Sequence, residues 1–224
     1  MIKLVKTEDG SHTLLNEKFG VHYHSIFGAI QESKHIFIEA GLVHQSKYCS
    51  ELNILEVGFG TGLNALLSMG YAKKTEAKIN YFGIEAYPVS EELIAKLNYH
   101  GLVEDINADS DFKLIHQHDW GQPFNLNAYF NLEKVTQKIE SIILPANQFN
   151  LVYFDAFAPD IQPELWTGDV FEKIYNAMTE GGVLVTYSVK GVVKRALKSA
   201  GFQLEKLPGP IGKREFLRAI KPIH

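Results

Sequence analysis

The sequence predicts an α/β fold in which seven strands form a mostly parallel sheet, with helices on both faces. From Asn53 onward, short apolar runs alternate with segments of helical spacing, which is the pattern of successive βα units. Near the C-terminus, "FQLEKL" and "REFLRAI" flank "PGPIGK", so a closing hairpin is expected to add an antiparallel strand at one edge. Ligands of such sheets bind at the carboxyl ends of the strands.

The first 45 residues do not follow this rhythm. In "KLVKTEDGSHTLLN", Asp9-Gly10 separates two alternating runs, which is a strong signal for a β-hairpin. The next segment, "SIFGAIQESKHIFIEAGLV", mixes helical and extended periods. We therefore expect residues 1–45 to form a small β-rich cap that leads into a short helix and packs on the main domain, residues 46–224.

The main domain can be divided into elements in chain order. Strands are expected at "NILEV", "NYFGIEA", "FKLIHQHD", "FNLVYFDAF" and "GGVLVTYS". Helices are expected at "LNALLSMGYAKK", "SEELIAKLNYHG", "VFEKIYNAM" and "VVKRALKSAGF". The second helix has Ser90 as its expected N-cap and Gly101 after its end. The connection between the third and fourth strands is long; residues 132–143 are expected to be helical, and residues 122–131 are assigned no role.

The composition is that of an ordinary globular domain, since 46% of the 224 residues are hydrophobic and 21% are charged. No apolar run approaches the roughly 18 residues that span a bilayer, and the charged N-terminus does not resemble an export signal. The single cysteine, Cys49, excludes an internal disulfide and fits a reducing compartment. These observations predict a cytoplasmic protein.

The net charge of −4 is unevenly distributed. Residues 189–224 contain nine Lys or Arg and two Glu, a net charge of +7, so the rest of the chain carries −11. One face could therefore meet a polyanion although the whole protein is acidic. A solvated helix and hairpin explain the same charges equally well.

A glycine-rich loop, "LEVGFGTGLN", lies between the first main-domain strand and the first helix. Glycines at this point let the backbone turn tightly and approach a ligand closely. The spacing is G-x-G-x-G, not the G-x-G-x-x-G of dinucleotide sites. An upstream carboxylate, Glu56, would favour an ammonium group over a pyrophosphate, as in S-adenosylmethionine. The cofactor-binding positions expected here are Glu56, Gly58, Phe59, Gly60, Thr61, Gly62 and Asn64.

Two further acids complete the expected cofactor site. Glu85 ends the second strand, where a carboxylate can accept hydrogen bonds from ribose hydroxyls of either cofactor. Asp119 and Trp120 follow the expected third strand and fit an adenine pocket, although a helix cap is the alternative interpretation of Asp119. S-adenosylmethionine is favoured over NAD by the loop spacing and by the antiparallel final strand.

The fourth strand ends on a charge, in "LVYFDAFAPDIQPELW". Methyl transfer requires a nucleophile held within reach of the methyl carbon. If the nucleophile is an amine, Asp155 can accept its N–H and stabilise the positive charge that develops on nitrogen. Phe157 could stack on a planar substrate, and Pro159 would stiffen the loop. The alternative interpretation is a helix N-cap followed by a rigid turn.

Several motifs together resemble the methyltransferase domain of the MnmC family, the tRNA 5-methylaminomethyl-2-thiouridine methyltransferases. They are "LEVGFGTGLN", "FGIEAYP", "YFDAFAPDIQPELWT", "GGVLVTYSVKGVVKRALKSAGF" and "GPIGKREFLRA", with a weaker match in "YHSIFGAIQESKHIFI". The resemblance implies a Rossmann-like class I fold and S-adenosylmethionine-dependent N-methylation of the 5-aminomethyl group on the (2-thio)uridine at the tRNA wobble position. It implies that Asp155 faces the substrate amine.

The resemblance also implies contacts with tRNA. The expected substrate-binding residues are Ser25, Glu32, Phe157, Pro159, Lys190, Lys194, Lys213 and Arg214. Lys190, Lys194 and Lys198 would share one helix face, and solvated charge is the alternative for each. Fused family members carry an oxidase domain for which this chain has no room, so a separate FAD-dependent oxidase is expected to supply the substrate.

Three other functions remain open. They are transfer of a methyl or aminopropyl group to a small amine, NAD-dependent oxidation, and RNA binding without catalysis. A metal site is not expected, because the pairs His22/His24 and His116/His118 have no clustered Cys or acidic partners beyond Asp119. A hydrolase of the G-x-S-x-G type is not expected either.

Overall fold

A computed structural model describes residues 2–103 and 107–223. Its strands are β1 (Ile2–Lys6), β2 (His12–Asn16), β3 (Val21–His22), β4 (Glu51–Val57), β5 (Lys78–Glu85), β6 (Phe124–Asn125), β7 (Phe130–Thr136), β8 (Phe149–Phe154), β9 (Met178–Thr186), β10 (Gln203–Pro208) and β11 (Glu215–Ile220). Its α-helices are α1 (Ala29–Ser33), α2 (Leu63–Thr75), α3 (Glu91–Ile94), α4 (Ala108–Gln117), α5 (Gly168–Ala177) and α6 (Gly191–Ser199). A π-helix spans Lys34–Val43, and 3-10 helices span Tyr99–Gly101 and Pro163–Trp166.

The large sheet has the strand order β10-β11-β9-β8-β4-β5-β7-β6. Strands β7, β5, β4, β8 and β9 pair in parallel, whereas β11 lies antiparallel between β9 and β10. The predicted α/β fold with an antiparallel C-terminal strand is therefore confirmed. The sheet has eight strands instead of seven, because residues 124–125 add a short antiparallel edge strand beside β7.

The expected third strand is wrong. "FKLIHQHD" lies mostly in helix α4, where the buried positions Ala108, Asp111, Phe112 and Ile115 follow a helical spacing. The third parallel strand is β7, in the region where a helix around 132–143 had been expected. His116 and His118 consequently do not share a strand face.

Lys134 explains why β7 is hard to find in the sequence. Its side chain is buried in mid-strand, a place where a lysine is rare. Its ammonium donates to the carbonyl oxygen of Ile115 at 2.7 Å and lies 5.1 Å from the centroid of the Trp120 ring. Burial lowers the pKa of Lys134 to about 8, and Asp119 opposes this shift. The Lys134 ammonium makes β7 hard to recognise in the sequence. Its hydrogen-bond partner comes from helix α4, which precedes β7 in the chain.

The helix expected at "SEELIAKLNYHG" is shorter than predicted. Ser90 has extended backbone before α3, but its side chain makes no capping hydrogen bond. The helix ends at Ile94, and Gly101 lies inside a 3-10 turn. The segment therefore contains two short helical pieces.

The N-terminal segment forms the expected hairpin. Strands β1 and β2 pair antiparallel, and β3 extends them to a three-stranded sheet. From Ala29 the chain is helical. Leu14, Ile36 and Phe37 are buried in the same hydrophobic cluster as residues of the large sheet, so the segment packs on the main domain. The domain boundary at residue 45 stays a prediction.

A row of asparagines crosses the large sheet near the amino ends of its parallel strands. Asn80 donates to the Asn53 side chain at 2.8 Å and accepts from Asn131 at 2.8 Å. Asn150 accepts from the Asn53 backbone at 2.9 Å. These contacts join four neighbouring strands in register, at the end opposite the carboxyl edge.

Among the described residues, no helix combines the length and apolar character needed to cross a membrane.

Candidate active site

The carboxyl ends of the parallel strands border a cavity of about 580 Å³. Its walls come from the loops after β4, β5, β7 and β8, and from the N-terminal segment. Of the residues predicted for the site, those that line the cavity are Gly58, Phe59, Gly60, Thr61, Asn64, Glu85, Asp155 and Phe157. The structure therefore brings the glycine loop and the end of β8 to one place, as expected for a parallel sheet.

The glycine loop turns directly against Asp155. Gly58 has a φ of +90°, and a Cβ there would lie 2.6 Å from the Asp155 carbonyl oxygen. The amides of Gly58 and Phe59 both donate to the Ile84 carbonyl at 3.0 Å. Position 58 consequently requires glycine for both its conformation and its packing.

Glu85 ends β5 at the cavity wall, where the sequence places it. One carboxylate oxygen accepts from the Gly60 amide at 3.0 Å, and the other accepts from the Tyr87 amide at 2.9 Å. These bonds orient the carboxylate and leave lone pairs on both oxygens. The side chain can therefore accept hydroxyl donors from a ligand.

Glu56 lies behind Asn64, which lines the cavity. It is 1% exposed and does not line the cavity. Its carboxylate accepts from Asn64 Nδ2 at 2.9 Å and from the Tyr81 hydroxyl at 2.8 Å. Burial raises the pKa of Glu56 well above its ordinary value. The observed contacts thus give Glu56 the role of holding Asn64, and its expected contact with an ammonium group stays a prediction.

Asn64 connects Glu56 to Asp155. Its Nδ2 also donates to Asp155 Oδ2 at 2.9 Å, whereas its own Oδ1 is buried and accepts no hydrogen bond from the described residues. Burial raises the pKa of Asp155 to about 7 and the charge of Glu32 adds to the shift, while the Asn64 hydrogen bond and Lys213 oppose it. Asp155 is therefore a carboxyl group that titrates near neutrality.

Side chains from elsewhere fix the loop behind Asp155. The Tyr187 hydroxyl donates to the Ala156 carbonyl at 2.8 Å, and Trp166 Nε1 donates to the Phe157 carbonyl at 2.8 Å. Trp166 is 1% exposed and packs edge-on against Phe154. The stiff residues after β8 thus hold the backbone that carries Asp155.

A second polar group lies beside Asp155. Glu32 is buried, accepts from the Ser25 amide at 3.2 Å, and pairs with Lys213. The Lys213 ammonium lies 4.3 Å from the centroid of the Tyr187 ring. The ion pair joins the N-terminal segment to the hairpin turn between β10 and β11.

The remaining predicted residues lie outside the cavity. Asp119 is exposed after α4 and not after a strand, so the reasoning that placed it at an adenine pocket is wrong in that step. Trp120 packs edge-on against Phe59 with centroids 5.7 Å apart. The residues after the true third strand that line the cavity are Gln137, Lys138, Ile139 and Glu140.

The other substrate-binding predictions lie outside the cavity lining. Pro159 is buried outside the cavity wall. Lys190 is exposed before α6 and pairs with Asp160, Lys194 is half-buried, and Arg214 is exposed. On α6 the buried residues are Val193, Ala196 and Leu197, so the helix has an apolar face. Lys190 precedes the helix, and the expected basic face stays a prediction.

Three cavity or near-cavity residues have no sequence signal that identifies them. Tyr23 and His24 line the cavity, and Tyr23 meets Phe157 edge-on with centroids 4.9 Å apart. Burial lowers the pKa of His24 to about 4, so the ring is neutral at physiological pH. Tyr187 follows β9. An aromatic residue at a strand end is too common a pattern to mark a site.

The fold and the site define an S-adenosyl-L-methionine-dependent methyltransferase. Residues 112–222 match a family model described as S-adenosyl-L-methionine-dependent methyltransferase. Over these residues the chain is similar to this family, and its sequence and fold are similar to those of MnmC proteins. The described residues contain no group of three His, Cys, Asp or Glu side chains that could hold a metal ion.

Individual relatives agree with this placement. The "tRNA 5-methylaminomethyl-2-thiouridine biosynthesis bifunctional protein MnmC" of Burkholderia multivorans is 30% identical over 94% of this chain and 33% of the relative. The protein of the same name from Leptospira interrogans is 30% identical over 92% of this chain and 33% of the relative. The chain spans about a third of the length of these curated relatives.

Solved structures show the same fold. MNMC2 from Aquifex aeolicus matches with a TM-score of 0.81 and 25% identity, over 100% of this chain and 73% of that one. Spermidine synthase from Thermotoga maritima matches with a TM-score of 0.54 and 14% identity, over 96% of this chain and 70% of that one. The second match concerns the fold alone.

Proposed function

We propose that this protein methylates the 5-aminomethyl group of the (2-thio)uridine at the tRNA wobble position, with S-adenosylmethionine as donor. The observation that carries the proposal is the placement of Asp155 at the carboxyl end of β8, against Gly58 of the glycine loop. One oxygen of this carboxylate is held by Asn64, and the other accepts no hydrogen bond from the described residues. An amine N–H fits the open oxygen.

The residues present fit S-adenosylmethionine, whose sulfonium supplies an electrophilic methyl group. Asn64 Oδ1 is a buried acceptor that needs a donor, and the α-ammonium of the cofactor is one. Glu85, oriented by two backbone amides, offers acceptors for ribose hydroxyls. Gln137 and Lys138 replace Asp119 as the residues that would border the base, because they follow the third parallel strand.

Asp155 supplies the chemistry of the amine. A free alkyl amine is mostly protonated at pH 7, like Lys with a pKa of about 10.4, and it must lose a proton before its lone pair can react. Asp155 has a pKa of about 7, so it exists in both protonation states near neutrality and can accept that proton. Its ionised form also stabilises positive charge on the nitrogen.

The neighbouring groups support a nucleic-acid substrate. Lys213 lies beside Asp155, Arg214 is exposed next to it, and Lys190 lies at the same edge of the sheet. Residues 189–224 carry a net charge of +7, whereas the rest of the chain carries −11, and phosphate contacts by Lys and Arg give salt-dependent binding. The names of the MnmC relatives refer to tRNA 5-methylaminomethyl-2-thiouridine.

The proposed substrate carries a free amine, which another reaction must expose. The curated relatives are bifunctional and about three times as long as this chain. We therefore propose that a FAD-dependent oxidase, which removes a carboxymethyl group from the modified uridine, acts before this protein. We further propose that both reactions take place in the cytoplasm, where tRNA is processed.

Undermodified tRNA tests the proposal directly. We expect labelled methyl from S-adenosylmethionine to enter tRNA that carries 5-aminomethyl(2-thio)uridine, and nucleoside mass analysis to show a gain of one methyl group on that nucleoside. Fully modified tRNA is the matched control and should take up no label. Label that enters polyamines or other small amines but never tRNA would refute the proposal, as would calorimetric binding of NAD without binding of S-adenosylmethionine.

A further inference from the structure

Three exposed apolar side chains lie on two segments of the chain that meet near the site. Ile26 is 46% exposed, Phe27 is 37% exposed and Ile211 is 65% exposed. Phe27 lies on the hairpin turn, since a Cβ at Gly212 would be only 2.2 Å from its ring. The patch, defined by Ile26, Phe27 and Ile211, therefore joins two segments that are distant in sequence.

The patch lies next to the reacting groups. Tyr23 and His24, which line the cavity, come just before it in the chain. On the other side, Lys213 follows the turn and contacts Tyr187, whose hydroxyl holds the carbonyl next to Asp155. A substrate that reaches Asp155 with one nucleoside consequently brings its neighbouring nucleotides to this surface.

The charges around the patch favour a polyanion. The hairpin turn and the start of α6 both lie at the carboxyl edge of the sheet, because β10 runs parallel to β9. This edge carries the exposed cations Arg214 and Lys190, the second of which pairs with Asp160. Cations beside exposed apolar and aromatic side chains are the usual surface for single-stranded nucleic acid, where phosphates meet the charge and bases stack on the rings.

We propose that the patch of Ile26, Phe27 and Ile211 is a stacking platform for the unpaired nucleotides that flank the target uridine in the anticodon loop. The proposal rests on the proposed function, since it names where the RNA of that reaction lies. Phe27 provides the ring against which a base packs, and Ile211 extends the apolar surface. Arg214 contacts a phosphate of the same strand.

Binding of a fluorescent anticodon stem-loop tests the platform without any catalytic step. Loss of one stacked base costs roughly 5- to 150-fold in affinity, so Phe27→Ala and Ile211→Asp should each raise the dissociation constant within or above that range. Phe27→Tyr, which keeps the ring, should bind like the wild type. Arg214→Gln should lower the slope of log K against log salt by about 0.7, whereas Phe27→Ala should leave that slope unchanged.

Ile223→Ala is the matched control. Ile223 is 77% exposed and packs near Gly181, at the opposite end of β9 from the site, so its loss should not change stem-loop binding. Thermal melting and titration with S-adenosylmethionine establish that each variant is folded. Ile211 is exposed enough that its replacement is unlike a core mutation, which separates binding from folding.

The outcomes separate the two proposals. If Phe27→Ala and Ile211→Asp each bind the stem-loop with an affinity within twofold of the wild type, the platform proposal is wrong, even if tRNA is methylated. A loss of affinity that matches that of Ile223→Ala also overturns it. Platform-dependent binding without any methyl transfer would instead support the platform and refute the proposed reaction. If both patch variants bind RNA normally but no longer associate with an oxidase, the surface is a protein contact and the platform is wrong.

Discussion

Replacement of Asp155 by Asn separates the charge of this side chain from its shape. An asparagine has nearly the same volume, and its carbonyl oxygen can still accept the Asn64 Nδ2 hydrogen bond that spans 2.9 Å in the wild type. The glycine loop and Glu85 are not touched by the change. We therefore expect binding of S-adenosylmethionine to persist, while the ability to accept a proton from the amine is lost.

The pKa of Asp155 sets the size of the effect. General-base contributions are roughly 10²- to 10⁴-fold, which we expect as the loss of single-turnover methylation rate at pH 8. A carboxyl with a pKa of about 7 is about 9% ionised at pH 6 and about 91% ionised at pH 8. The rate ratio of wild type to Asp155→Asn should consequently rise about tenfold between these pH values. The titration of the substrate amine cancels from this ratio because both proteins share it.

The raised pKa of Asp155 also predicts an effect on stability. Asp155→Asn should lower the methylation rate but raise the stability of the fold at high pH. The folded state raises the pKa of Asp155 above its ordinary value of 3.8, so folding favours the protonated form. This contribution is fully present below about pH 4 and is lost as the pH rises through 7. Asp155→Asn should therefore stabilise the fold at pH 8, by at most about 4 kcal/mol, and should have little effect near pH 4.

Two measurements check this reasoning. Single-turnover methylation of undermodified tRNA, from pH 6 to pH 8, gives the rate ratio, and thermal melting over the same range and down to pH 4 gives the stability. A variant that retains more than a third of the wild-type rate at pH 8 would refute the role of Asp155. A rate ratio that is flat between pH 6 and pH 8 would show that the carboxyl does not titrate in this range.

Three other predictions concern the expected cofactor-binding residues Gly58 and Glu85, and the asparagine row of the large sheet. Gly58→Ala should abolish binding of S-adenosylmethionine in calorimetry and lower the melting temperature, since its Cβ would strike the Asp155 carbonyl; Gly10→Ala, at a similar φ of +86° but with no atom within 4 Å, should leave binding unchanged. Glu85→Gln should weaken calorimetric binding by roughly 10- to 150-fold, because hydrogen bonds to charged groups contribute about 1.5–3 kcal/mol; an affinity within twofold of the wild type would contradict this. Asn80→Ala should lower stability by about 1–2 kcal/mol in urea unfolding and leave the methylation rate unchanged, because the asparagine row lies opposite the site.

The order and pattern of the residues were sufficient to predict most strands of the large sheet. Strands β4, β5, β8 and β9 contain short apolar runs, and the closing hairpin follows from "PGPIGK" between two strands. These signals are local, so a reader of the sequence can recognise them without knowing the fold. The third parallel strand, β7, was not predicted because the buried Lys134 interrupts its apolar pattern.

That error had a consequence for the site. Placing the third strand at residues 112–119 put Asp119 beside the cofactor, whereas β7 ends at Thr136 and brings Gln137 and Lys138 to the cavity. The interpretation of Glu56 shows a related difficulty. Its position before the glycine loop is visible in the sequence, but its burial behind Asn64 depends on packing against Tyr81 from the neighbouring strand.

The sequence by itself determined the glycine loop, the acid at the end of β8 and the antiparallel final strand, because backbone conformation and strand periodicity are encoded by neighbouring residues. Only the tertiary structure decided how Asp155 is surrounded. Glu32 and Lys213 stand 181 positions apart and yet pair beside it, and Tyr187 and Trp166 fix the loop behind it. The environment that moves the pKa of this carboxyl to neutrality is made by burial and by charges from distant segments, which no local pattern specifies.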